Sequence, residues 1–221
     1  MDVWRITWFT VGTAALATIL MLPPGVLLAW LLARGRFRGR VLLETLVSLP
    51  LVMPPVATGL ILLTLVAPRR PLGALLEQWG VAVVFTWKAV VLAMWVMGLP
   101  LFIRTVRAGI EQVDRRYEEV ASTLGARPLR VFATITLPLA LPGLAAGSVL
   151  GFARAIGEFG ATIMIAGSIP GSTRTLAVAI YSYAETGRDD DAAVLVLVSA
   201  VIAFAALWLS NWISARAPVR L

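Results

Sequence analysis

Four stretches of this chain carry no charged side chain for more than twenty residues, and nothing else in the sequence constrains its fold as strongly. They run over 6–33, 45–68, 131–153 and 192–215. A helix needs roughly 20 apolar residues to cross a hydrocarbon core, and each run meets that length. A fifth apolar segment, 81–103, holds Lys88 near its start, where a long side chain beside Trp87 snorkels toward the headgroups. Only 14% of the 221 residues are charged, against about a quarter in an ordinary soluble domain. The expectation is an all-α, polytopic membrane protein with about five spans, near 6–33, 43–67, 81–103, 134–157 and 192–215. The first run contains Ala15-Leu16-Ala17, which resembles a signal-peptidase site. Its apolar length exceeds that of a signal peptide, so it reads as a span.

The basic residues fix an orientation. Of 18 arginines and one lysine, twelve fall in the connections after the first and third spans and after the last one. They are Arg34, Arg36, Arg38 and Arg40, then Arg104, Arg107, Arg115, Arg116, Arg127 and Arg130, then Arg216 and Arg220. Positive charge stays on the cytoplasmic side, so the N-terminus is expected outside and the C-terminus inside. The same placement explains the net charge of +7 without nucleic acid as a partner. The sequence has no cysteine and no histidine, which removes disulfides, thiol chemistry and ordinary zinc or haem sites. Its single lysine does not sit in a G-x-x-x-x-G-K-[ST] phosphate loop. Any ATP and magnesium the function needs are expected on another polypeptide, with no cofactor bound by this chain. A membrane-embedded enzyme is disfavoured because no residues for acid–base or metal chemistry sit together in a span.

Three local features stand out. Pro23-Pro24-Gly25 is expected to kink or halt the first span, and Pro50, Pro54, Pro55 and Gly59 interrupt the second. Broken backbone at membrane depth is tolerated where protein or a wet cavity covers it. Pro54, Pro55 and Thr58 are therefore candidates for lining or gating a pathway. The segment after the fourth span has apolar pieces too short to cross, divided by Gly and Pro, and reads as a re-entrant or partly inserted excursion. It begins with Arg154 and Glu158, four apart. They are either a mutual brace or a gate pair, and Thr162 follows them as a further pathway candidate. Asp189 to Asp191 are placed to cap the last helix.

Residues 111–130 are the largest polar segment. From Glu111 to Leu124 the pattern is helical, with Val113, Tyr117, Val120, Ala121 and Leu124 on one face. Gly125 suits the left-handed position that ends a helix, and Pro128 the first turn of the next. A helix, a glycine corner and a helix at the cytoplasmic face either dock in a partner's groove or rest on lipid headgroups. Glu119, Ala121 and Gly125, then Ile135, Leu137 and Pro138, follow the pattern E-x-A-x-x-x-G-x9-I-x-L-P, with Val120 where the first alanine is usual. This resembles the EAA loop of the membrane subunits of type I binding-protein-dependent ABC importers. The resemblance extends over nearly the whole chain, and "LPLVMPPVATG" and "ARAIGEFGATIMIAGSIPGSTRTLAVAIY" look most like molybdate permeases. Sulfate and tungstate permeases share the G-E-F-G-A element. Ser168 and Ser172 stand where molybdate permeases commonly have Asn and Glu.

The resemblance implies the ABC type-1 permease fold for the whole chain as one transmembrane domain. It implies that Arg116, Tyr117, Glu118, Glu119, Ala121, Ser122, Leu124, Gly125 and Ala126 form the coupling helix that meets a separate ATPase. It further implies a homodimer, two ATP-binding subunits and a periplasmic or lipid-anchored oxyanion-binding protein, in a bacterial or archaeal inner membrane. A passive channel, by contrast, needs no docking elbow.

Overall fold

The computed structural model describes residues 3–216, so Arg220, counted above among the basic residues, lies outside it. Among the described residues the regular structure is entirely helical: α1 (Val3–Arg34), α2 (Arg40–Val52), α3 (Pro55–Val66), α4 (Pro71–Gln78), α5 (Trp87–Glu111), α6 (Arg115–Thr123), α7 (Pro128–Val131), α8 (Leu137–Leu139), α9 (Leu141–Ile156), α10 (Gly160–Ala166), α11 (Leu176–Glu185) and α12 (Asp189–Arg216). A five-residue π-helical turn, Phe132–Thr136, joins α7 to α8.

Three helices, α1, α5 and the 189–213 part of α12, are long and apolar enough to cross a membrane. Two bent pairs bring the number to five if each is one span. In one, α2 meets α3 at 112°; in the other, Pro128–Leu139 meets α9 at 72°. The core is built around α5, which packs on α1, α9 and α10. Met21 and Phe102 are fully buried there, with Met94 and Met97 beside them. Backbones approach closely where α5 crosses α9: a Cβ on Gly143 would stand 2.7 Å from the Cα of Gly109. Small residues at such a crossing allow dispersion contacts to hold helices together where lipid offers no hydrophobic drive. On the far side, α12 is mostly exposed apolar surface, as a lipid-facing helix should be.

The structure corrects three sequence expectations. Of the kink or halt expected at Pro23 and Pro24, the halt does not occur, because α1 runs unbroken through both. A proline removes only its own N–H, and the surrounding packing holds the helix: a Cβ on the next residue, Gly25, would stand 2.4 Å from the Phe102 ring. The helix of the third span, α5, begins at Trp87, not near residue 81. Val81 to Val84 are apolar but not helical, and Phe85 takes a positive φ of 57°. Thr86 is the N-cap, accepting a hydrogen bond from the Lys88 amide at 3.3 Å. The single helix read over 111–124 is two elements: α5 ends at Glu111, and Asp114 caps a new helix by accepting from the Arg116 amide at 2.9 Å.

The segment after α9 contains two short helices, α10 and α11, of seven and ten residues. Neither is long enough to cross a bilayer alone. α10 packs against α3 and α5, and α11 is tied to the start of α1 by a buried bond from the Leu176 amide to Thr10 Oγ1 at 2.9 Å. Asp189, Asp190 and Asp191 occupy the first turn of α12, where acids complement the helix dipole.

Candidate functional site

Two regions collect the candidate residues, one at the basic end of the bundle and one in its interior. At the basic end, α6 and α7 form the elbow. Gly125 has φ +83°, a conformation that L side chains rarely adopt. Its amide donates to the Ser122 carbonyl at 3.0 Å, and the Ala126 amide donates to that of Ala121 at 3.1 Å. These are the paired bonds of a Schellman ending, and Pro128 then opens α7. The corner is therefore fixed by backbone geometry alone; nothing lies within 4 Å of a Cβ built on Gly125.

The side chains of α6 divide by face. Tyr117, Val120 and Leu124 point outward, the last with 83% of its surface exposed, and Leu129 of α7 joins them. Arg116, Glu119 and Ser122 are also exposed, while Ala121 and Ala126 are half-buried. Val113, read as part of the same stripe, instead turns into the core, because it precedes the Asp114 cap and belongs to neither helix.

Glu118 turns inward as well. It pairs with Arg34 Nε at 3.1 Å and accepts from Thr136 Oγ1 at 2.7 Å. Arg34 Nη2 donates in turn to the carbonyls of Ile110 at 3.0 Å and Val113 at 2.7 Å. One carboxylate thus links α6 to the end of α1, the end of α5 and the π-helical turn. π turns recur at functional positions. This cluster also brings the first and third basic connections to the same end of the bundle, as the charge pattern requires. Arg34 and Thr136 escaped the sequence reading. The available signal was weak: an acid on the face of α6 opposite Val120 and Leu124 needs a cation, but Arg34 lies 84 positions away.

Between α2 and α3, Met53 and Pro54 are extended and Pro55 opens α3; both prolines stay exposed, and the chain turns inward only at Thr58 and Gly59. The start of α3 locks against α10: a Cβ on Gly160 would be 2.7 Å from Pro55 Cβ, and one on Gly59 2.7 Å from Ala161 Cα. Thr58 and Thr162 sit at this crossing, and their hydroxyls are buried with no hydrogen-bond partner among the described residues. A buried orphan hydroxyl is uncommon and calls for an explanation. Arg154, in the last turn of α9, reaches Glu158 at 2.9 Å. The other carboxylate oxygen of Glu158 accepts from the Ala161 amide at 2.7 Å. Both oxygens are engaged and the side chain is 1% exposed, so in this conformation the pair forms a closed brace between α9 and α10.

Residues 25–217 match the binding-protein-dependent transport system inner membrane component. The chain belongs to that family. The molybdenum transport system permease protein ModB of Escherichia coli (strain K12) is 44% identical over 213 residues, covering 96% of this chain and 93% of that protein. ModB of Haemophilus influenzae is 43% identical over 209 residues, 94% of this chain and 91% of that protein. The sulfate transport system permease protein CysT of Salmonella typhimurium is 41% identical over 157 residues, 71% of this chain and 57% of that protein. Among solved structures, a bacterial alginate ABC transporter in complex with its alginate pentasaccharide-bound periplasmic protein superposes with TM-score 0.71 at 20% identity. That match covers 96% of this chain and 78% of the other. An inward-facing MetNI methionine ABC transporter gives TM-score 0.63 at 19% identity, covering 96% and 94%. The fold is that of ABC transporter permeases, and as an inner membrane component this family member is a multi-pass membrane protein and not itself an ATP-hydrolysing enzyme.

Proposed function

We propose that this chain is the membrane-spanning subunit of an ATP-driven molybdate importer, working as a homodimer with two ATPase subunits and a periplasmic or lipid-anchored binding protein. The observation that carries the reading is the elbow: an outward apolar face of Tyr117, Val120 and Leu124, rimmed by Arg116 and Glu119, on a corner fixed by Gly125. An exposed apolar stripe with charged edges suits a groove on another protein. The positive-inside rule puts it in the cytoplasm, with the ATPase. Molybdate is favoured over sulfate because the relatives named for molybdenum match over more of both chains than the sulfate permease does.

Five spans are few to enclose a hydrated dianion, so the pathway is assigned to the two-fold axis of the dimer. ATP binding draws the two elbows together, and the halves rock between two packings open to opposite sides. The crossing of α3 and α10 is the candidate gate. When Pro54 and Pro55 release α10, Thr58 and Thr162 offer their orphan hydroxyls to the passing anion. Weak neutral donors suit a ligand that must leave again. Arg154 neutralises Glu158, so that the carboxylate does not repel the anion.

Two substitutions test the docking surface. Glu119→Lys reverses a charge on its rim, and Gly125→Pro forces φ to about −65°, against the +83° the corner requires, and removes the amide that bonds Ser122. Both are expected to release the ATPase subunit or stop its stimulation while the spans stay folded, which co-purification and circular dichroism measure. Normal transport in both variants would refute the assignment. For the anion, calorimetric titration of the cognate binding protein is expected to rank molybdate at least level with tungstate and above sulfate. A preference for sulfate would transfer this chain to the sulfate branch.

A further inference from the structure

At the end of the bundle opposite the elbow, a cavity of about 560 Å3 opens between the first turns of α1 and the loop joining α10 to α11. Arg5 faces it from α1 and Arg174 from the loop, with Trp4, Trp8 and Tyr183 among its walls.

The walls are held in place by specific contacts. Arg174 donates through Nε to Ser168 Oγ at 3.1 Å and through Nη2 to the Ser168 carbonyl at 3.4 Å. Ser168 Oγ in turn lies 3.2 Å from Ser182 Oγ on α11. Gly171, at φ +75°, brings the loop against Arg5, whose Nη2 would be 3.3 Å from a Cβ there. The Tyr183 ring is backed by the Arg188 guanidinium, 4.4 Å from its centroid. Trp4 and Trp8 meet edge to face at 5.3 Å, yet remain 69% and 57% exposed. Exposed tryptophans at the end of a spanning helix mark the headgroup level of a bilayer. Arg5 lies between them in sequence, so the cavity sits at the height of the lipid phosphates.

We propose that this cavity binds a tetrahedral oxyanion presented by a phospholipid headgroup, with Arg5 and Arg174 as its ligands. Guanidinium forks match phosphate oxygens and bind them as charge-assisted pairs. The tryptophan walls favour the lipid as source, since they cover the glycerol and upper acyl region and offer nothing to a small hydrated dianion. The site depends only on α1 spanning a membrane, so it stands or falls separately from the importer reading.

The full-length chain is purified in non-ionic detergent with whatever subunits remain bound, and native mass spectrometry follows its occupancy by added phosphatidylglycerol. The wild type is expected to retain this lipid, and an Arg5→Gln/Arg174→Gln variant to bind it roughly tenfold more weakly, as loss of charge-assisted pairs implies. Arg174 also holds its loop, so Arg5→Gln alone, which leaves the Ser168 bonds intact, is measured beside it and should weaken retention in the same direction. Millimolar inorganic phosphate forms the second arm and is not expected to displace the lipid. Phosphate binding that depends on Arg5, without any lipid difference, would overturn the headgroup as source. Equal lipid retention and equal phosphate binding in wild type and variants would overturn the site itself.

Discussion

Glu118→Ala is expected to lower ATP-driven uptake roughly tenfold while leaving the ATPase subunit attached, a size typical of coupling energies between sites. The side chain makes no part of the outward face; its oxygens are taken by Arg34 at 3.1 Å and Thr136 at 2.7 Å. The pair is largely shielded, at 13% and 18% side-chain exposure for Arg34 and Glu118. Hydrogen bonds to charged groups contribute about 1.5–3 kcal/mol each. Their loss frees α6 from the ends of α1 and α5 and from the π turn, while Tyr117, Val120 and Leu124 still dock. The diagnostic quantity is anion moved per ATP hydrolysed, which should fall. Glu118→Gln keeps an acceptor for Thr136 and a neutral bond to Arg34, and should lie between alanine and wild type. If Glu118→Ala instead detached the ATPase and left the ratio unchanged in the residual complex, Glu118 would belong to the docking face.

The second large effect is on stability. Glu158→Ala removes a carboxylate that is 1% exposed and bonded at both oxygens, to Arg154 at 2.9 Å and to the Ala161 amide at 2.7 Å. Breaking a fully buried pair costs about 3–5 kcal/mol; Arg154 keeps 27% of its side chain accessible, so the loss lies toward the low end of that range and comes largely from the freed Ala161 amide. The expected outcome is a markedly lower melting temperature in detergent and poor recovery of folded protein. Glu158→Gln retains an acceptor for Ala161 and should lose clearly less. If alanine and glutamine variants melted like wild type, the brace between α9 and α10 would carry no stabilising role.

The spans were legible because hydrocarbon excludes charge, so a helix such as α12 announces itself in composition alone. Boundaries were less legible wherever apolar residues are not helical. Val81 to Val84 extended the third run, and only Thr86, a cap ahead of Trp87 and Lys88, marked the true start. The elbow was readable for a different reason. Gly125 and Pro128 impose local backbone geometry, which depends on neighbours in sequence. Val113 was misplaced because the Asp114 cap splits what periodicity reads as one helix. The Arg34–Glu118–Thr136 cluster was beyond reach, since its members belong to three separate elements and their meeting is a product of tertiary packing. The orphan hydroxyls of Thr58 and Thr162 were candidates by position, but their lack of partners appears only once α3 and α10 are packed.

The most direct test is ATP-dependent molybdate uptake by proteoliposomes holding this chain with its genomically adjacent ATPase, supplied with the cognate binding protein. The importer reading requires uptake that needs both ATP and the binding protein, and that is lost with Glu119→Lys. Failure to form a stable complex with any ATPase, or uptake that runs without ATP, would contradict it.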